Sequence, residues 1–237
     1  GMEKLEDKYF YANRGNRNAD YSDMDFFNRY HTIFLLDPTT GMRESIIPFP
    51  ENSLFKEGKF FFSDAWEPVF HISDNKLYLV FGLEPVIYIY ENKAPFNLIS
   101  SIPIELSDYH YFKGSDKYND EDIRFFAHRV TSGKIVNIKY VDNYFLLSYF
   151  PGFDAADTEM SLSANIGPDF WTEMRKKYPT RIAILDNQGQ VLNDFVSEGL
   201  LENTMMVRNG QLWMMGKHNG EVELDYFQIF KVGIKLK

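Results

Sequence analysis

Five histidines, His31, His71, His110, His128 and His218, are the side chains best suited to proton transfer or metal ligation near neutral pH. No two stand at HxH or HxxxH spacing, and the chain contains no HExxH, no GxSxG elbow and no P-loop. A cluster of them would have to assemble from distant segments. The absence of cysteine excludes disulfide scaffolds, thiolate zinc sites, iron–sulfur clusters and thiol catalysis. Two acidic stretches could supply carboxylates. In SDKYNDEDIR (115–124), Asp116, Asp120, Glu121 and Asp122 lack the alternation and central glycine of an EF-hand loop, so the stretch reads as a solvated loop. DAADTE (154–159) likewise reads as a solvated loop, although Asp154, Asp157 and Glu159 could supply carboxylates for acid–base work. Aromatic residues in loop-like segments (Phe26, Phe27, Trp66, Tyr109, Tyr111, Tyr118 and Trp171) suit stacking against a sugar or a peptide. The candidate ligand-binding set is Trp66, Tyr109, His110, Tyr111, Asp154, Asp157 and Trp171. No residue is nominated as catalytic or metal-ligating, and no cofactor is implied.

These residues need elements to hold them. The alternating segments TIFLLD (32–37), VIYIYE (86–91) and RIAILD (181–186), with a relative in DYFQIFK (225–231), each lead towards a polar turn. Before the last three comes strand, tight turn, strand: PVFHISDNKLYLVFG (68–82), KIVNIKYVDNYFLLSYF (134–150) and TMMVRNGQLWMMG (204–216). Asn-Gly, and more weakly Asp-Asn, is a short hairpin signal. Segments after the polar turns, such as MRESIIPF and QVLNDFV, add a further strand. Four-stranded units drawn over 43–91, 97–186 and 190–232 predict an all-β, β-propeller-like fold of tandem antiparallel blades, about three full plus one partial. Residues 1–31 form an N-terminal extension in which KYFYAN (8–13) supplies a strand of the partial blade, and 32–237 form a single domain of blades. Strand-direction parity sends the long segments 14–30, 50–67, 105–133, 151–180 and 217–223 to one face, and the tight turns at Asp74-Asn75, Asp142-Asn143 and Asn209-Gly210 to the other. Within 151–180, GPDFWTEMRKKYP predicts one short helix over 168–178. Pro168 sits at its start, acids lie early and bases late, and Phe170, Met174 and Tyr178 form an inward stripe.

Composition agrees with an ordered, strand-rich chain: 44% hydrophobic and 17% aromatic residues, with 22 Phe and 15 Tyr among 237 residues. A net charge of −9 and a pI near 5.1 oppose nucleic-acid binding, and no basic cluster offers a landing site for an anionic membrane. No run approaches a membrane span, and the sequence as it stands shows no signal-peptide pattern at GMEKLEDKYF. The repeated hairpin, the alternating strand ending in an Asp-x-x-x-Gly turn and the aromatic richness resemble six-bladed propellers of TolB-like type, in particular a family of unknown function from exported bacterial lipoproteins, over about residues 32–237. That resemblance implies export, to a periplasmic or extracellular location, and binding without established chemistry. The expected function is a non-catalytic binding module for a small ligand, a carbohydrate or peptide, or a protein partner, acting through the long-loop face. The alternative is a propeller hydrolase or lactonase using loop Asp, Glu and His with a divalent metal. An enzyme needs convergent ionisable groups in a concave pocket, and a binding module needs exposed aromatics instead. Too few blades are visible to close a ring, so the expectation is an open ring completed by a partner, such as a second copy.

Overall fold

The computed structural model describes residues 1–13, 20–118, 123–162, 167–217 and 227–235. Parts of several expected features lie outside them: 14–19 and 218–223 of two long loops, 119–122 of the acidic stretch, 225–226 of the last alternating segment, and His218.

Among the described residues, fifteen strands make four antiparallel meanders in chain order. The first sheet holds β1 (Met2–Leu5), β2 (Lys8–Ala12), β3 (His31–Leu36) and β4 (Arg43–Pro48). The second holds β5 (Pro68–Ser73), β6 (Lys76–Phe81), β7 (Val86–Glu91) and β8 (Leu98–Pro103). The third holds β9 (Lys134–Val141), β10 (Tyr144–Phe150), β11 (Arg181–Leu185) and β12 (Val191–Phe195). The fourth has three strands: β13 (Met206–Arg208), β14 (Gln211–Met215) and β15 (Ile229–Val232). The four alternating segments therefore hold equivalent positions in successive sheets, as their shared pattern predicts, but as the third strand of each and not as the last strand of the sequence units. The arrangement is propeller-like, with four sheets rather than the six that the resemblance implies.

Alternation explains the packing. In β6, Leu77, Leu79 and Phe81 point into a core shared with the first sheet, while Tyr78 and Val80 point into one shared with the third. In β10, Phe145, Leu147 and Tyr149 face the second sheet, and Leu146 faces the fourth. The two middle sheets thus bury both faces, and the outer two bury one each. The core between the first two sheets is built mainly of aromatic rings: Phe27 lies 5.6 Å from Phe49, 5.6 Å from Phe61 and 5.4 Å from Trp66. Among the described residues, no buried cluster joins the fourth sheet to the first.

The blade boundaries fall one strand later than the sequence units. Segment 43–48 pairs with β3 (Leu36 opposite Arg43), and 191–195 pairs with β11. The polar turns are too short to reach another sheet. Asp37 closes one by accepting from the amides of Thr39 and Thr40, and Asp186 closes another by accepting from those of Gln188 and Gln190. The long segments 49–67, 104–133 and 196–205 are therefore the crossovers between sheets. The N-terminal residues complete the first sheet, because β1 pairs with β2 through a turn at Glu6-Asp7. Among the described residues, the sheet with three strands is the last one.

The tight turns have φ of +51° and +59° at Asp74-Asn75, +53° and +65° at Asp142-Asn143, and +52° and +68° at Asn209-Gly210. Two consecutive positive values mark the turn type whose twist suits a two-residue hairpin, which is why Asn, Asp and Gly stand there. Asp74, Asp142, Asn143 and Gly210 line one shallow depression, so the turns share one end of the molecule. Segments 109–113, 128–132 and 153–159 meet at the other.

Among the described residues, four α-helices lie between strands instead of one: α1 (Phe26–Arg29), α2 (Ile123–Thr131), α3 (Ala155–Ser161) and α4 (Pro168–Lys177). Helix α4 matches the expected helix, with Tyr178 as its C-cap. Its apolar stripe is half-buried and none of its residues is fully buried. Among the described residues, no helix is long and apolar enough to cross a membrane.

Candidate functional site

The crossover from β8 to β9 carries Tyr109, His110 and Tyr111 across the loop end of the third sheet. Backbone bonds pin it: the amide of His110 donates to Pro151 O (2.7 Å), and the amide of Gly133 donates to His110 O (2.6 Å). Gly152 has φ of +85°, and a Cβ there would collide with the carbonyl oxygen of His110, so the close approach of these two loops requires glycine. The Tyr109 hydroxyl donates to Leu83 O (3.0 Å), and burial holds its pKa well above the ordinary tyrosine value. Tyr109 is thus an anchor in the wall of the site.

Around these residues lies a depression of about 520 Å³, walled by Tyr109, His110, Tyr111, Lys113, His128 and Glu159, among others. The Phe112 ring stacks on His128 with centroids 4.3 Å apart, and Lys113 Nζ sits 5.6 Å from the Tyr111 ring. His110, Lys113 and Glu159 are exposed. Phe153 also belongs to a second, apolar depression of about 500 Å³, lined by Val130, Phe150, Trp171, Met174 and Arg175. Phe153 stacks on Tyr178 (4.8 Å) and lies 6.4 Å from Trp171. One aromatic ring therefore separates a polar chamber from an apolar one.

Asp154 and Asp157 stand beside these chambers but are occupied within the protein. Asp154 caps α3 by accepting from the Asp157 amide (2.8 Å). Asp157 accepts from Lys177 Nζ and from the Tyr178 hydroxyl (2.6 Å), which ties α3 to the end of α4. Those bonds, that of Lys177 first, hold the Asp157 carboxyl below its ordinary range. The two carboxylates shape the apolar chamber by fixing the helix that carries Trp171. Trp66 is remote from a ligand in function: it is 1% exposed in the aromatic core, 5.1 Å from Tyr21. Its indole has no free face to stack on.

Of the seven candidates, Tyr109, His110, Tyr111 and Trp171 line the paired chambers, Asp154 and Asp157 brace them, and Trp66 belongs to the core. Sequence reasoning missed Lys113 and Phe153. Phe153 had a signal, since it lies between the Pro-Gly turn and the acidic cap in YFPGFDAAD. No group of three or more His, Asp or Glu residues among those described could hold a metal ion.

No family model matches the sequence, and no curated protein matches it. Among solved structures, the fold is similar to the 1.75 Å crystal structure of a member of the DUF4221 family from Bacteroides vulgatus ATCC 8482, with a TM-score of 0.62 and 13% identity. The likeness is one of fold. It covers 98% of this chain and 63% of that one, so the chain spans less than two thirds of that protein's length.

Proposed function

We propose that this protein is a binding module that takes a peptide segment of a partner on its loop end. The observation that carries this reading is the pair of chambers sharing Phe153. An apolar side chain fits the Trp171 chamber, while main-chain groups of the same segment meet His110, Lys113 and Glu159 in the polar one. Trp171 emission gives the readout, isolated by its loss in Trp171→Phe, because Trp66 is buried in a different core and Trp213 lies on the fourth sheet. Titration with peptides presenting single Phe, Leu or Met residues is expected to shift that emission, and Trp171→Phe is expected to abolish the response. Tyr111→Ala is expected to weaken binding at least about tenfold. A panel that leaves Trp171 emission unchanged, or a response that survives Trp171→Phe, overturns the reading.

The same proposal extends to the outer sheet faces. On the fourth sheet, Met206, Trp213, Met215 and Ile229 point away from the third, and Met206 and Ile229 are 48% and 57% exposed. On the first sheet, Tyr9, Tyr11, Phe34 and Leu36 point away from the second, with Tyr11 and Phe34 rings 5.3 Å apart. Apolar sheet faces of this kind support coverage by another molecule, such as a second copy of the chain.

A further inference from the structure

The run Arg175-Lys176-Lys177 closes α4 with three consecutive cations, and their fates differ. Lys176 Nζ pairs with Glu173 at 2.8 Å, and Lys177 Nζ is held by Asp157. Arg175 makes no ion pair among the described residues. Its Nε donates to Trp171 O at 3.2 Å, one turn back on the same helix. The side chain therefore lies along the helix face that carries Trp171 and Met174.

That face walls the apolar chamber. Phe150 and Phe153 close it from the end of β10 and the turn beyond, and Val130 from the last turn of α2. Of its six lining residues Arg175 alone bears a charge, and no carboxylate stands with it. With Nε engaged, the two Nη groups still offer N–H bonds in the planar fork that matches a carboxylate. Arg175 is exposed, so that fork is open to a ligand. A purely apolar occupant would strip water from this cation without compensation. The chamber's complement is therefore an apolar body joined directly to an anion.

The last residue of a polypeptide has this form, because its side chain and its terminal carboxylate leave the same Cα. A neighbouring Asp or Glu does not reproduce it, since successive side chains of an extended segment point to opposite sides. We propose that the loop end captures its partner by the C-terminus, with an apolar last side chain in the Trp171 chamber and the terminal carboxylate on the Arg175 guanidinium. The preceding residues then cross Phe153 into the chamber of His110, Lys113 and Glu159. This inference rests on the peptide-binding reading above and adds which part of the peptide is read.

The test compares peptides that differ at one group. Short acetylated peptides ending in Leu or Phe are titrated into the whole protein as the free acid and as the C-terminal amide, with Trp171 emission as the readout. The acid is expected to bind at least about fivefold more tightly than the amide. In Arg175→Gln the acid is expected to fall to the affinity of the amide, with the amide unchanged. Gln is a comparable helix former at this exposed position, so the helix is retained. A merely structural role for Arg175 would weaken both forms together. The compound 3-phenylpropionate keeps the ring and the acid but lacks a main chain, and is expected to bind at least about tenfold more weakly than the Phe-terminated peptide. Equal binding of acid and amide overturns C-terminal capture and leaves the peptide-binding reading in place. No emission change with either form overturns both. An acid preference that survives in Arg175→Gln, or 3-phenylpropionate binding as tightly as the peptide, also overturns the proposal. The acid–amide comparison uses unaltered protein, so it decides the matter whatever the variant does.

Discussion

Burial alone would raise the Glu3 carboxyl. The hydrogen bond from His71, the charges of Lys139 and His71 and the Ile72 amide outweigh it and leave the group below its ordinary range. A carboxylate lowered in this way binds fewer protons folded than unfolded. Its stabilisation is complete above the ordinary glutamate pKa and is lost as pH falls through the folded value. Glu3→Gln is therefore expected to be about 3 kcal/mol less stable than the parent at neutral pH, since it leaves Lys139 buried without a counter-charge. The gap should narrow in acid, as urea midpoints measured across the acid range will show. Glu84 is a second buried acid, accepting from the Leu54 amide (2.7 Å), the Ser53 hydroxyl (2.9 Å) and the Tyr88 hydroxyl (2.9 Å). Glu84→Leu would strand three donors and is expected to cost about 3 kcal/mol in chemical denaturation, whereas Glu84→Gln keeps most of the bonds and should cost about 1 kcal/mol. Residue identity told part of this story in advance. Tyr109, His110, Tyr111 and Trp171 were legible because aromatic and imidazole groups in long connections gather at the loop end. Trp66 was not, because exposure depends on Phe27 and Tyr21, which arrive from elsewhere in the chain.

Elements were more legible than side chains, for a physical reason. The period of two and the turn residues are local signals, and they placed the third strands, the hairpins and α4. The phase of the sheets was not local. A turn of a few residues after an alternating strand looks the same in sequence whether the next strand stays in the sheet or begins a new one. Only the register of Leu36 against Arg43 decides. Strand β1 escaped notice because MEKL has a polar residue on each face, its Glu3 pairing with His71 and Lys139 instead of packing. The hairpin turns carry a direct expectation. Asn143 has φ of +65°, where a Cβ-bearing residue without a short polar side chain is strained, so Asn143→Ala should lower stability by about 1 kcal/mol. Asn143→Gly should leave it unchanged or slightly higher in the same thermal-melt series. For the helices, Asp157→Ala removes the acceptor shared by Lys177 and Tyr178, and is expected to loosen α4 and red-shift Trp171 emission without lowering the main melting transition.

At the scale of the molecule, the proposed coverage of the two outer apolar faces makes a prediction for solution behaviour. Light scattering is expected to show mass rising with protein concentration, and the double substitution Met206→Glu, Ile229→Lys is expected to hold the protein monomeric. A strictly monomeric parent at micromolar concentration would remove the case for coverage by a second copy. The succession of sheets also shapes how the fold comes apart. Sheets packed only on their sequence neighbours behave as a one-dimensional array, in which opening begins at the ends and the middle holds longest. Glu3 breaks that rule, since it leaves the first sheet to bond both the second, through His71, and the third, through Lys139. Amide hydrogen exchange should therefore be asymmetric, with the fourth sheet exchanging readily and the first protected almost as long as the third. In Glu3→Gln that protection should collapse in the first sheet alone, turning a clasped end into a free one.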